Sequence, residues 1–493
     1  MSVQILLQGK FAGIEEFLFS QAHPSEWAAS DANGTRFMLG RARWIGLLAE
    51  VLPRALLAEL GLARILLGSS GGDQFLVVLP DESRQAAEAF ISAAQQRVAE
   101  MSGQTVRLVW AVTEYLGDWS DVRKRLTDEL DRKRQAPLPG GAGRSFEPVA
   151  AREIPDTGGY FASELGEKLN NAEVVGWSPE EPEKIQASGG KHHWPLSPQP
   201  DLDAIPFSRH VALADDGQTP ASVRGLAARS EGLRTWGVLL ANVDGVATRL
   251  RRAQTIEEHL QLSMMYKQFF AGELAVACSL PDFWRKTTII CTGGADLAVY
   301  GAWNALPALA REIQRLFHRF SEENLKDFPG PEGKTISMAI ALATHPEEPF
   351  SQVLQDAYGR LELAKSSDKD CIHLFGRTLE WKQLADAAEL AESLARMAKE
   401  FGSSRQFFSE LTSVYRKART PHAEAGGRSE AQFDRPWRFH RRIHRAFGNL
   451  REREFQRLRS HLVHEAPGRG VAHVRLRPAG RVALEWARLN TEV

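Results

Sequence analysis

Ile289 to Gly301 reads IICTGGADLAVYG: a short apolar run, two glycines, an acidic position and a second apolar run. That arrangement predicts two strands joined by a tight hairpin, because glycine adopts the positive φ such turns require. The side chains just after the glycines project from the hairpin tip, and here they are Ala295 and then Asp296. A second hairpin of the same kind lies far upstream in ARILLGSSGGDQFLVVLP, residues 63–80, centred on Gly71-Gly72 and followed at once by Asp73.

The elements around the two hairpins repeat. Upstream, strand-like VQILLQG leads to a helix-like IEEFLFS and a helix over Ala42–Glu59, with Leu47, Leu48, Val51, Leu56 and Leu57 on its apolar face. After the hairpin come a helix near Glu82–Met101, the strand TVRLVWAVT and a charged helix Asp118–Arg134. Downstream the order returns: strand Thr235–Asp244, helix Thr255–Ala277, hairpin Thr287–Gly301, helix Leu306–Phe320, strand Thr335–Thr344, helix Phe350–Ser366 and closing strand Cys371–Phe375. Two copies of one unit imply an α+β chain with two tandem ferredoxin-like, GGDEF-like palm domains. The expected divisions are 1–136 for the first palm, 137–230 for a Pro/Gly-rich, loop-rich inter-palm insert, 231–379 for the second palm and 380–493 for a helical, Arg-rich C-terminal domain.

Sixty-one basic residues balance 62 acidic ones, so no global field points to nucleic acid or membrane. No apolar run approaches the ~18 residues of a membrane span, and the start lacks a leader pattern, so a soluble, cytoplasmic protein is expected. Cys278, Cys291 and Cys371 stand singly among apolar neighbours, which reads as inert thiols, with no zinc site expected. His192-His193 lies in a Pro/Gly loop without an adjacent acid or thiol and reads as incidental. The exception to charge balance is the tail from Arg435 to Val493, with fourteen Arg and no Lys against five Glu. Helical spacing there puts Arg438, Arg441, Arg442 and Arg445 on one side, a face suited to RNA phosphates or to partner carboxylates.

Palm chemistry uses two Mg²⁺ ions held by one carboxylate at the end of the first strand and another on the Gly-Gly hairpin. In the second copy the strand ends Asn242-Val243-Asp244 and the hairpin offers Ala295-Asp296. Asn242 can lend only a neutral oxygen, so Asp244 and Asp296 are the residual catalytic and metal-binding candidates, displaced from the full pattern. Side-chain alternation along a strand is expected to turn Asp296 away from a metal. In the first copy Asp73 is correctly placed, but Lys10 occupies the opposing acidic position; it would repel a metal or itself approach a phosphate. Gly71, Gly72, Asp73, Gly293, Gly294 and Lys365, at the end of the last helix of the second copy, are the candidates for contact with ATP and its Mg²⁺.

Taken in order, these segments resemble the large palm-domain subunit of type III CRISPR effector complexes. QGKFAGIEEFLFS is similar to that family's first-palm opening, LLANVDG stands where it has a DVDN-type strand, and GGADLAVYG where it has GGDDLFLxG. GEKLNNAEVVGW, LAKSSDKDCIHLFG and VALEWARLN match later segments in the same order. The resemblance implies a subunit of a crRNA-guided ribonucleoprotein that binds target RNA. Its partners would be the backbone subunits, the subunit gripping the guide 5′ end and the small helical subunits. Active members turn ATP into cyclic oligoadenylates, and many carry an HD nuclease. This sequence has no His-Asp dipeptide, no four-cysteine zinc site between the palms, and altered DVDN and GGDD positions. The expected function is therefore a scaffold without nuclease or oligoadenylate synthase activity. The alternatives are an active palm nucleotidyltransferase and a non-catalytic ATP sensor.

Overall fold

The computed structural model describes residues 4–135, 154–198, 203–294, 296–367, 369–400, 408, 467–469, 474–476 and 478–492. It is a mixed α+β structure with several sheets. The N-terminal sheet is built from β1 (Gln4–Ala12), β2 (Leu67–Gly71), β3 (Gln74–Pro80) and β4 (Arg107–Glu114) in the order β2-β3-β1-β4, with antiparallel neighbours. Its helices are α1 (Ile14–Phe19), α2 (Pro24–Ala29), α3 (Thr35–Glu59), α4 (Arg84–Met101) and α5 (Trp119–Gln135). Alternation along β1 sends Ile5 and Leu7 into the core shared with α3 and α4, and Leu6 into a smaller core with Val122, Leu126 and Leu130 of α5.

Three short strands follow, β5 (Val174–Trp177), β6 (His192–Ser197) and β7 (Ile205–Pro206), and then α6 (Val223–Ala228). The second large sheet contains β8 (Trp236–Val243), β9 (Thr287–Gly293), β10 (Asp296–Ala302), β11 (Ile336–Leu342), β12 (Cys371–Leu374) and β13 (Arg377–Glu380), ordered β13-β12-β11-β8-β10-β9. Four consecutive strands ending at one edge, β11-β8-β10-β9, repeat the order β4-β1-β3-β2 of the first sheet. Its helices are α7 (Val246–Arg251), α8 (Ile256–Gln268), α9 (Leu274–Ser279), α10 (Leu306–Asn324) and α11 (Phe350–Ser366). Leu239, Ala241 and Val243 of β8 face α8, α9 and α10, while Val238 and Leu240 face α11. The core beneath α8, α9 and α10 extends into α12 (Trp381–Glu400) and the C-terminal helix Pro478–Thr491.

Helix α3 joins the two halves. Trp44, Leu47, Leu48 and Val51 lie in the N-terminal core, whereas Phe37, Met38 and Leu39 pack into the core beneath α11. A one-sided apolar face over 42–59 predicts the second half of this helix but not its start at Thr35, because Phe37 to Leu39 bury against a separate sheet. The long helix expected over Thr255–Ala277 is divided into α8, a π-helical turn at Phe269–Glu273 and α9. Among the described residues, no helix is long and apolar enough to cross a membrane.

Candidate functional site

The two Gly-Gly hairpins meet tip to tip. Gly71 and Gly72 have φ of 113° and 67°, and Gly294 has φ of 60°, left-handed values that glycine adopts without strain. A Cβ added to Gly293 would lie 3.1 Å from the Gly72 Cα, so the opposed backbones touch where any larger residue would hold them apart. Register places Gly71 opposite Gln74 and Gly293 opposite Asp296.

On the first hairpin, the Phe11 amide donates to the Asp73 carbonyl at 2.7 Å and fixes the turn against the end of β1. Lys10, two residues before that end, extends its Nζ to 3.4 Å from the Asp73 carboxylate, and both side chains remain partly open to solvent. On the second hairpin, Asp296 pairs in register with Asn242 of β8, and the Asn242 amide donates to its carboxylate. Asp296 is exposed along its outer edge, yet the protein around it pushes its carboxyl above the ordinary range; the Asn242 hydrogen bond and Lys365 oppose that rise and Asp73 adds to it. The electrostatic influence of both Asp73 and Lys365 on Asp296 brings four charges, Lys10, Asp73, Asp296 and Lys365, around the paired tips. Lys365 also makes a surface ion pair with Glu362 at 2.9 Å.

Asp244 does not join them. It is buried, and its carboxylate accepts from the Thr335 hydroxyl at 2.9 Å, the Ser337 hydroxyl at 2.7 Å and the Asp370 amide at 3.0 Å. These donors come from the start of β11 and from the segment before β12, so Asp244 ties the end of β8 to its neighbours. The structure therefore does not bring Asp244 and Asp296 together. Asp296 shares the face of its sheet with Asn242, Ala298 and Tyr300, the side that packs toward α11 and α3. Ala295, Arg438, Arg441, Arg442 and Arg445 lie outside the described residues.

This donor set does not fit a divalent metal pair. Asp73 already faces an ammonium, Asp296 already accepts from an amide, and the three donors to Asp244 engage both its oxygens. Among the described residues, no group of three or more His, Cys, Asp or Glu side chains could hold a metal ion.

Beneath the tips runs a buried ionic network that the sequence reading missed. Glu50 of α3 accepts from Arg54 at 2.7 Å and from the Ser70 hydroxyl at 2.8 Å, and pairs with Lys267 of α8 at 2.6 Å. Lys267 also donates to the Ser70 carbonyl at 3.0 Å, so one lysine reaches across from the second half to the strand leading into the first hairpin. Burial alone would push the Glu50 carboxyl up, but Lys267 and Arg54, with hydrogen bonds from Lys267 and Ser70, hold it below the usual carboxylate range. A Glu and an Arg four apart, the only charged residues in the stretch 44–58 of α3, were the available signal. His192 needs correcting as well. It has an acidic companion, Glu59 at the end of α3, 2.6 Å from its Nε2, and its ring stacks at 6.2 Å on Trp177 and on Trp194.

The second sheet, with its hairpin and covering helices, is a palm domain: the family model of the Cas10/Cmr2 second palm domain matches residues 235–373. Beyond that segment the chain is similar to large subunits of type III CRISPR systems. One relative is the CRISPR system single-strand-specific deoxyribonuclease Cas10/Csm1 (subtype III-A) of Enterococcus italicus, 26% identical over 166 residues, which are 32% of this chain and 20% of that protein. Csm1 in the Csm1–Csm4 cassette in complex with cA4 has the same fold, with a TM-score of 0.68 at 14% identity over 99% of this chain and 70% of that one. In the Csm1–Csm4 subcomplex of the type III-A CRISPR-Csm interference complex the TM-score is 0.65 at 17% identity, covering 84% of this chain and 62% of that chain. The chain thus spans less than two thirds of the length of several of the relatives it matches.

Proposed function

We propose that this chain is a scaffold subunit of a crRNA-guided type III ribonucleoprotein, made of two tandem ferredoxin-like palms that retain their architecture without palm catalysis. One observation carries the reading. Both hairpins have lost the opposing strand-end carboxylate, which is Lys10 across from Asp73 and Asn242 across from Asp296, while the network that joins the palms is complete. A two-metal polymerase needs uncompensated carboxylates at those positions. Selection for assembly needs only the packed interface.

On this reading the chain contacts a Csm4-like subunit that holds the guide 5′ end, binds target RNA as part of the complex, and meets backbone and small helical subunits through its helical C-terminal region. Arg438, Arg441, Arg442 and Arg445 are the proposed RNA or partner contacts. The relatives solved with Csm4 support this choice of partner. Co-expression with a Csm4-like subunit, the backbone subunits and a guide RNA tests it: the chain should elute with all of them and with bound RNA. Elution as a free, RNA-less monomer would overturn the reading.

A further inference from the structure

Only one nitrogen of Arg54 serves the network beneath the hairpins. Its Nη1 donates to the Glu50 carbonyl at 2.7 Å, the Glu50 carboxylate at 2.7 Å and the Ser70 hydroxyl at 3.3 Å. Its Nε is buried without a hydrogen-bond partner among the described residues, and Nη2 has none there either. The side chain is 3% exposed, so bulk water does not stand in for that partner. An unmet guanidinium edge with parallel N–H groups has the shape that a carboxylate bridges.

The same arginine lines a cavity of about 460 Å³ between β2, α8 and the segment 203–206. We propose that this cavity binds an aliphatic monocarboxylate, whose carboxylate bridges Nε and Nη2 of Arg54 and whose chain lies along Leu67, Pro206, Leu260 and Met264. Its volume is ordinary for a small-molecule site. No residue of either Gly-Gly turn lines it. Charge sets the head group. Glu50 is a single carboxylate facing two buried cations, Arg54 and Lys267, so the network carries an excess positive charge that one monoanion neutralises. The other charged pair of the lining, Arg64 and Asp203 at 3.1 Å, balances itself. The walls set the tail. Ile65 and Met264 stand 90% and 47% exposed beside the buried guanidinium, apolar surface that a hydrocarbon chain would cover and a sugar or a phosphate chain would not. Because β2 belongs to the N-terminal sheet and α8 to the second half, an occupant touches both.

The inference does not depend on the assembly role proposed above. Calorimetric titration of the full chain with sodium octanoate and with 1-octanol tests it. Octanoate should give saturable heat, and 1-octanol, which has the chain without the charge, should bind at least about tenfold more weakly. Ser263→Trp, which fills the cavity from α8, should abolish the octanoate heat. Arg54→Lys keeps the charge but not the fork and should weaken binding at least about tenfold. Thermal melting followed by circular dichroism shows whether each variant is folded; where one is not, the 1-octanol comparison decides. No heat from octanoate at millimolar concentration, equal affinity for 1-octanol, or binding unchanged in folded Ser263→Trp or Arg54→Lys would each overturn the proposal. Co-elution with RNA and partner subunits is a separate readout, so the two readings fail separately.

Discussion

Glu50 is the residue whose loss should cost the fold most for its size. Its side chain is 6% exposed, those of Arg54 and Lys267 are 3% and 11% exposed, and all three belong to one network across the palm interface. Removing one partner of a buried ion pair costs ~3–5 kcal/mol, because the remaining charge is left in a poorly polarisable interior. Glu50→Ala strands two cations and so belongs at the upper end, about 5 kcal/mol. Lys267→Met leaves Glu50 with Arg54 and Ser70 and belongs at the lower end, about 3 kcal/mol. Equilibrium urea unfolding of the two variants and of the double variant gives both losses and their coupling, which should be about 2 kcal/mol. The pH dependence follows from the depressed Glu50 carboxyl. A lowered folded-state value contributes stability that is complete above the unfolded carboxyl value of ~4.3 and is lost as pH falls through the lower folded value. Wild type should therefore lose more stability than Glu50→Ala between about pH 4.3 and more acidic conditions. A loss below about 1 kcal/mol in Glu50→Ala would mean that the network is no more than a surface pair and the interface rests on apolar packing alone.

Asp244→Ala removes the acceptor of two hydroxyls and an amide around a buried position and should cost about 3 kcal/mol in urea unfolding; a cost near zero would return Asp244 to the list of free carboxylates. Gly72→Ala forces a Cβ into a left-handed conformation at φ 67° and should cost about 1–2 kcal/mol, read as a lower melting temperature, whereas an unchanged melting temperature would mean the turn relaxes freely. Burial pushes the Cys278 thiol up to about 12, so iodoacetamide at pH 8 should modify it at least about a hundredfold more slowly in the folded protein than in urea; equal rates would refute the burial. Glu59→Gln weakens the link from α3 to Lys191 and His192 and should speed proteolysis within 178–191, measured by mass spectrometry of limited digests, with no change in the digestion pattern as the contrary result.

Hairpins, helices and their order were legible because each announces itself locally. Gly-Gly turns, β-branched runs and apolar spacing place β3, β9–β10 and α11 within a residue or two of their observed limits, whereas the first hairpin, read from Ala63, starts only at Leu67 because Arg64–Leu66 form a 3-10 turn. What sequence could not supply was the relation between distant segments. Nothing in residues 63–80 says that their tip rests on Gly293, and nothing local to Lys267 names Glu50 as its partner. The two aspartates of the second palm show the same limit. Asp244 and Asp296 are equivalent as letters, but the segment before β12 wraps Asp244 with its own donors, and only Asp296 reaches the cleft rim. Similarly, His192 reads as incidental until β6 folds back onto the end of α3.

The most direct measurement is ATP turnover by the reconstituted complex carrying guide RNA and a matching target RNA, with labelled ATP and Mg²⁺ or Mn²⁺ and chromatographic resolution of the products. With Lys10 and Asn242 in place of the strand-end carboxylates, the prediction is unchanged ATP while target RNA is demonstrably bound. Target-dependent cyclic oligoadenylates, abolished by Asp296→Ala, would contradict it and make this cleft a working nucleotidyltransferase.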